Sequence, residues 1–145
     1  MLSADQISRL ENAGYRVLGR GHSAVKVCHW TKRSLVGRGV CYKEQFYGSE
    51  IGLRSHRCLQ FTPALPFCDH KCMFCWRDTA LTVAEWKGPA DDPRMLLDQA
   101  IVAHRELLSG FGGNPLVDRS RLQEARQPIH CACLLYTSPS PRDRG

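Results

Sequence analysis

Three cysteines fall within eight residues in the stretch "FCDHKCMFCWRD", as Cys68-x3-Cys72-x2-Cys75. Thiols spaced this closely and unevenly suit a loop wrapped around a common centre better than a helix or a strand, so they limit what the middle of the chain can be. Structural zinc takes four Cys or His ligands, usually as C-x2-C pairs far apart in sequence. A Cys3His site completed by His56 or His70 stays open, but it would need unusual local geometry. A cubane iron–sulfur cluster is the more economical reading, because three thiolates hold three irons and leave the fourth iron free to take a ligand.

The rest of the composition agrees with metal chemistry. No run of about 18 apolar residues is present, and "MLSADQISRL" lacks the basic and apolar regions of a secretory signal. The expected localisation is cytoplasmic, with no membrane. In that compartment the chain's eight cysteines are poor candidates for disulfides and better ones for metal or redox sites. At 145 residues the chain suits one small domain or a piece of something larger, since a closed eight-stranded barrel needs roughly 200 residues or more. The net charge of +6 is concentrated between residues 20 and 57. There Arg20, Lys26, Lys32, Arg33, Arg38, Lys43, Arg54 and Arg57 face only Glu44 and Glu50. A partner rich in phosphate or carboxylate, nucleic acid included, is expected on this segment.

Local signals divide the chain unevenly. "LSADQISRLENAG" predicts a helix with Ser3 as N-cap, Gln6 completing a capping box and Gly14 at its end. "YRVLG" and "HSAVKVC" predict short strands with Val25 and Val27 on one face. From Cys28 to Trp76 no helical period lasts, so irregular backbone organised by a bound centre is expected. "DDPRMLLDQAIVAHRELLSGF" is the clearest helix, with Asp92 as N-cap, Pro93 at the first turn, and Leu96, Leu97, Ala100, Ile101, Leu107 and Leu108 facing a core. A short helix around Leu122 and Ala125 follows a Gly-rich loop that resembles a phosphate loop only weakly. "PIHCA" then begins a strand.

With Phe74 just before its last cysteine, the C-x3-C-x2-C arrangement resembles the signature of the radical S-adenosylmethionine superfamily. "HSAVKVCHWTKRSLVGRGVCYKEQFYG" followed by "RSHRCLQFTPALPFCDHKCMFCWRD" extends the resemblance to the archaeal-type 4-demethylwyosine synthases, over residues 15 to 132. The resemblance implies two [4Fe-4S] clusters. Cys68, Cys72 and Cys75 would hold the one that binds and cleaves S-adenosylmethionine, while Cys28, Cys41 and Cys58 would hold a second. It implies that pyruvate is condensed with N1-methylguanosine beside the anticodon of phenylalanine tRNA, in a carbon–carbon lyase class of reaction that draws on an electron donor. It also implies that Lys43, two residues after Cys41, forms a Schiff base with pyruvate. The basic segment would then meet the anticodon stem-loop, with Trp30, Tyr42, Tyr47 or Trp76 available to stack on a base.

The fold class implied is α/β, the N-terminal part of a truncated radical S-adenosylmethionine partial (β/α) barrel. Residues 1–62 would form a cysteine-bearing extension, 63–132 the start of the barrel, and 133–145 a tail foreign to both. Back-translation of Cys133 to Asp143 resembles a transposase sequencing adapter, so the natural chain is expected to leave this sequence at Ala132. The activity is accordingly expected of the longer parent, with this fragment inactive alone. "SEIGL", residues 49–53, reads as an insertion between "FYG" and "RSHRC" that lengthens the gap from Cys41 to Cys58; as a surface loop it would be harmless, whereas displacement of Cys58 would disturb the second cluster. Two other classes remain as alternatives: a zinc-stapled RNA-binding module and a two-cluster electron-transfer protein.

Overall fold

The structure, a computed structural model, describes residues 2–68, 70, 72, 73, 75 and 78–133. Phe74, Trp76 and the tail from 134 onward lie outside the described residues. Four strands form one mixed sheet in the order β1 (Tyr15–Leu18), β2 (Ser23–Lys26), β3 (Cys58–Thr62), β4 (His130–Cys133). The first three run antiparallel, and β4 lies parallel to β3 with Cys58 opposite His130 and Leu59 opposite Cys131. Parallel neighbours need a crossover. Here it is supplied by a long loop, helix α4 (Pro93–Ser109) and helix α5 (Arg119–Ala125). The α/β class and the likeness to the start of a (β/α) barrel therefore hold.

Helix α1 (Ala4–Asn12) begins as its capping box dictates. Ser3 Oγ accepts the Gln6 N–H at 3.2 Å, and Gln6 Oε1 accepts the Ser3 N–H at 2.8 Å. Asp92 caps α4 in the same way, accepting the Met95 N–H at 2.9 Å. Along β2 and β3 the side chains alternate by the period-2 rule. Val25, Leu59 and Phe61 point to α4, where Leu96, Ala100 and Ala103 close over them together with Leu18. On the opposite face Leu10 of α1 meets Ala24 and Leu65. A third cluster joins Val27 and Leu35 to Leu108, Val117, Leu122 and Ala125.

Three expectations need correction. The region after Cys28 is not irregular throughout, because α2 (His29–Leu35) and α3 (Tyr42–Ile51) occupy it. Their pattern is hard to read because α3 turns its apolar residues Tyr42, Phe46, Tyr47 and Ile51 to solvent and buries Gly48. Residues 49–51 of "SEIGL" form the last turn of α3 rather than a loop, and Gly52 ends that helix in the left-handed conformation at φ +66°. Leu97 does not face the core; it is 47% exposed on the outer side of α4. Strand β3, which no sequence signal separated from its surroundings, is a finding of the structure.

Candidate cluster-binding and lysine site

Cys28 and Cys41 occupy equivalent places in the chain. Each is the N-cap of a helix, Cys28 of α2 and Cys41 of α3, and neither thiol makes a capping hydrogen bond. Both thiols therefore stand at a helix start without being used up as caps. Cys58 opens β3 directly after a 3-10 turn, Ser55–Arg57. That turn is tied to both helices. Thr31 Oγ1 of α2 donates to the Ser55 carbonyl at 2.8 Å, the Cys41 N–H donates to Ser55 Oγ at 2.9 Å, and the Ser55 N–H donates to Glu44 of α3. Ser55 is thus the knot that fixes two helix starts against one strand start.

The electrostatics of Cys58 register this convergence. Its thiol is pushed up to about 12, first by burial and then by Cys28, Cys131 and Cys41, while Lys43 pulls the other way. Lys43, in the first turn of α3, also acts on His130. The His130 imidazole is held below the usual histidine range, first by burial and then by Lys43, with Arg57 and His56 adding and Glu44 opposing. The three upstream cysteines and Lys43 therefore share one electrostatic neighbourhood with the start of β4. Sequence reasoning passed over His130 and Cys131. Their relation to Cys58 depends on the β3–β4 pairing, which is visible only as a second short strand one helical crossover later.

The downstream triplet lies in the loop after β3, which is where a (β/α) architecture places its chemistry. A short parallel bridge between Phe67 and Val83 closes this loop at its base. The Cys68 N–H donates to the Val83 carbonyl at 2.9 Å, and the Val83 N–H donates to the Pro66 carbonyl at 2.8 Å. Within the loop the Cys75 N–H donates to the Cys72 carbonyl at 3.0 Å, a turn that brings the last two cysteines together. Cys72 and Cys75 are exposed, Cys68 is half-buried, and none of the three is in a disulfide.

Among the described residues, no group of three or more His, Cys, Asp or Glu side chains is placed to hold a metal ion. His56, one candidate for a fourth zinc ligand, is instead turned toward Glu124, with Nε2 at 2.7 Å from the carboxylate. His56 is thereby engaged with a carboxylate. Each cysteine group consists of three thiols uncommitted to disulfides, the donor set a cubane with one open iron requires.

Known proteins are similar to this chain in sequence and fold. No family model matches the sequence. An S-adenosyl-L-methionine-dependent tRNA 4-demethylwyosine synthase of Pyrococcus abyssi is 46% identical over 126 residues, spanning 86% of this chain and 35% of that protein. The corresponding synthase TYW1 of Xenopus laevis is 45% identical over 131 residues, spanning 90% of this chain and 17% of that one. Among solved structures, TYW1 with a lysine–pyruvate adduct bound superposes with a TM-score of 0.77 at 29% identity, covering 93% of this chain and 42% of that one. The crystal structure of archaeal TYW1 gives 0.68 at 25% identity, with 93% and 43% covered. The chain thus spans about a third of the length of the archaeal relative it matches.

Proposed function

We propose that this chain, a homologue of the tRNA 4-demethylwyosine synthases over nearly all of its length, is the N-terminal part of such a synthase and carries its pyruvate-binding machinery. Residues 1–62 would be the extension bearing Cys28, Cys41, Cys58 and Lys43, and residues 63–132 would open the barrel that bears Cys68, Cys72 and Cys75. The observation that carries this reading is that Ser55 ties the starts of α2 and α3, which bear Cys28, Cys41 and Lys43, to the turn directly before Cys58.

The substrate chemistry assigns work to each group. The N-methyl carbon of N1-methylguanosine has no acidic proton, so an acid–base pair cannot activate it. Cys68, Cys72 and Cys75 would hold an iron–sulfur cluster that, when bound, would supply the one-electron chemistry by which S-adenosylmethionine yields a radical able to take a hydrogen atom from that carbon. The remaining task falls to this chain's own side chains. The Lys43 amine would attack the keto carbon of pyruvate with loss of water; the N-methyl carbon radical would add to the resulting imine carbon, leaving the unpaired electron on nitrogen, and scission of the bond from that carbon to the carboxylate, which leaves as the carbon dioxide radical anion, would restore the imine. Once metal-bound, Cys28, Cys41 and Cys58 would be thiolates and would place negative charge near the protonated imine. The basic residues Lys26, Lys32, Arg33, Arg38, Arg54 and Arg57 then meet tRNA phosphates, with Trp30, Tyr42 or Tyr47 available to stack on a base.

Lys43 provides the decisive experiment. In a full-length synthase carrying this segment, Lys43→Ala is expected to abolish 4-demethylwyosine formation while cleavage of S-adenosylmethionine continues. Borohydride reduction in the presence of pyruvate should add a three-carbon acid to Lys43, read by peptide mass. An adduct on a different lysine would overturn the assignment.

A further inference from the structure

The loop that carries Cys68, Cys72 and Cys75 leaves the sheet at Pro63 and returns to it at Asp91, and one buried side chain touches both ends. His22 sits in the β1–β2 turn and is 6% exposed. Its carbonyl accepts the Leu65 N–H at 2.7 Å. Its Nδ1 lies 2.8 Å from the Pro63 carbonyl oxygen, and its Nε2 accepts the Asp91 N–H at 3.0 Å. Nε2 also lies 3.1 Å from Asp91 Oδ2; with the proton on Nδ1 alone Nε2 accepts the Asp91 N–H, and with a proton on Nε2 it donates to the Asp91 carboxylate, so His22 is tied to Asp91 in either form. Ser23 Oγ reinforces the first end by donating to the same Pro63 carbonyl at 3.1 Å. Asp91 reinforces the second, since its Oδ2 accepts the Arg20 N–H at 2.8 Å and its side chain is only 4% exposed.

The surroundings are shaped for this contact. Gly19 lies so close to Asp91 that an added Cβ would stand 2.2 Å from Oδ2. The turn therefore excludes a side chain at the point where the returning loop docks. Trp86 packs edge-on against the His22 ring, at 5.5 Å between centroids, and stacks at 6.5 Å on Phe67, the neighbour of Cys68. A histidine that merely filled the core would need one partner. His22 instead bonds the entrance, the exit and, through Trp86, the first cysteine's neighbour.

We propose that His22 is the positioning residue of the cysteine loop: it clamps Pro63 to Asp91 and thereby holds Cys68, Cys72 and Cys75 in one orientation for cluster assembly. The proposal rests on the reading above that these three thiols hold an iron–sulfur cluster. His22 touches no ligand itself. It acts by lowering the number of conformations the loop must give up when metal arrives, as a pre-organised site does.

The test uses a full-length synthase carrying this segment, in a background of Cys28→Ala, Cys41→Ala and Cys58→Ala, so that the upstream cysteine group cannot take up iron. His22→Phe keeps a ring against Trp86 and removes both side-chain hydrogen bonds, whereas His22→Gln restores a donor and an acceptor. After anaerobic reconstitution with iron and sulfide, His22→Phe is expected to bind iron several-fold less tightly, and His22→Gln to recover part of the loss. In the metal-free protein, proteolysis between residues 64 and 90 should quicken by about tenfold, the size expected for losing one or two buried hydrogen bonds, with cleavage elsewhere unchanged. Equal iron affinity and equal cleavage in His22→Phe would overturn the proposal, as would a uniform rise in cleavage along the whole chain. Cys68→Ala in the same background separates the two readings: if it binds iron as before, the cluster assignment fails whatever His22 does.

Discussion

Cys58 shows at the scale of one residue what a metal-ligand position looks like before the metal arrives. Burial and three neighbouring thiols hold its own thiol protonated, up to about 12, against the pull of Lys43. Only the thiolate binds metal or attacks an electrophile. At pH 8 a group with that value is ionised to roughly one part in ten thousand. The metal-free chain treated with iodoacetamide at pH 8 is therefore expected to label Cys72 and Cys75 quickly, since both are exposed, and Cys58 slowest of the three. Timed alkylation read by peptide mass checks this. Labelling of Cys58 as fast as Cys72 would mean that its thiol is not buried among others. The same argument gives metal binding at Cys58 a pH dependence, because each thiol that becomes a ligand must release its proton.

Helices α4 and α5 meet through His104, and this joint carries a pH dependence of its own. His104 is fully buried, its Nε2 donates to the Ala125 carbonyl at 3.1 Å at the end of α5, and its Nδ1 has no partner. Burial holds the imidazole below its ordinary 6.5, the neighbouring Arg105 adds to this, and the bond to Ala125 opposes it. Below 6.5 the unfolded chain takes up a proton that the folded chain refuses, so stability falls as the pH drops from 7 toward the folded value. Thermal melting between pH 7.5 and pH 5 should show a falling midpoint, and His104→Gln should flatten that slope. An unchanged slope in the variant would place the titrating group elsewhere.

The elements also show which signals sequence carries. Helices α1, α4 and α5 are legible because Ser3, Asp92 and Asp118 cap them and their apolar spacing faces a core. Helices α2 and α3 are not, because their caps are cysteines and the aromatic residues of α3 point outward. The two cysteine triplets were readable as groups from spacing and resemblance. The convergence of Cys58, Lys43 and His130 was not, because it depends on the parallel pairing of β3 with β4, which joins residues some seventy positions apart through a crossover.

The whole molecule has a one-sided sheet. β1 is covered on one face by α1 and on the other by α4, whereas β4 pairs with β3 alone among the described residues. A strand edge with unpaired amides and carbonyls is a template for another chain. The described residues also leave large apolar side chains exposed: Met95, Leu97 and Val102 on α4 and Tyr42, Phe46 and Ile51 on α3, each at least 38% exposed. Relatives and solved neighbours have more than half of their length beyond the matched part, which is chain available to cover such surfaces. Expressed as it stands, this chain is therefore expected to self-associate through the β4 edge and the outer faces of α3 and α4. Light scattering coupled to size exclusion, across a dilution series, measures this directly. Introducing Lys at Leu97 and at Ile129, which are exposed beside α4 and β4, should shift the distribution toward monomer without lowering the melting midpoint, because neither side chain belongs to a core cluster. A monodisperse monomer with one cooperative melting transition would show instead that four strands and five helices close their own core, and that the exposed apolar residues serve recognition rather than cover.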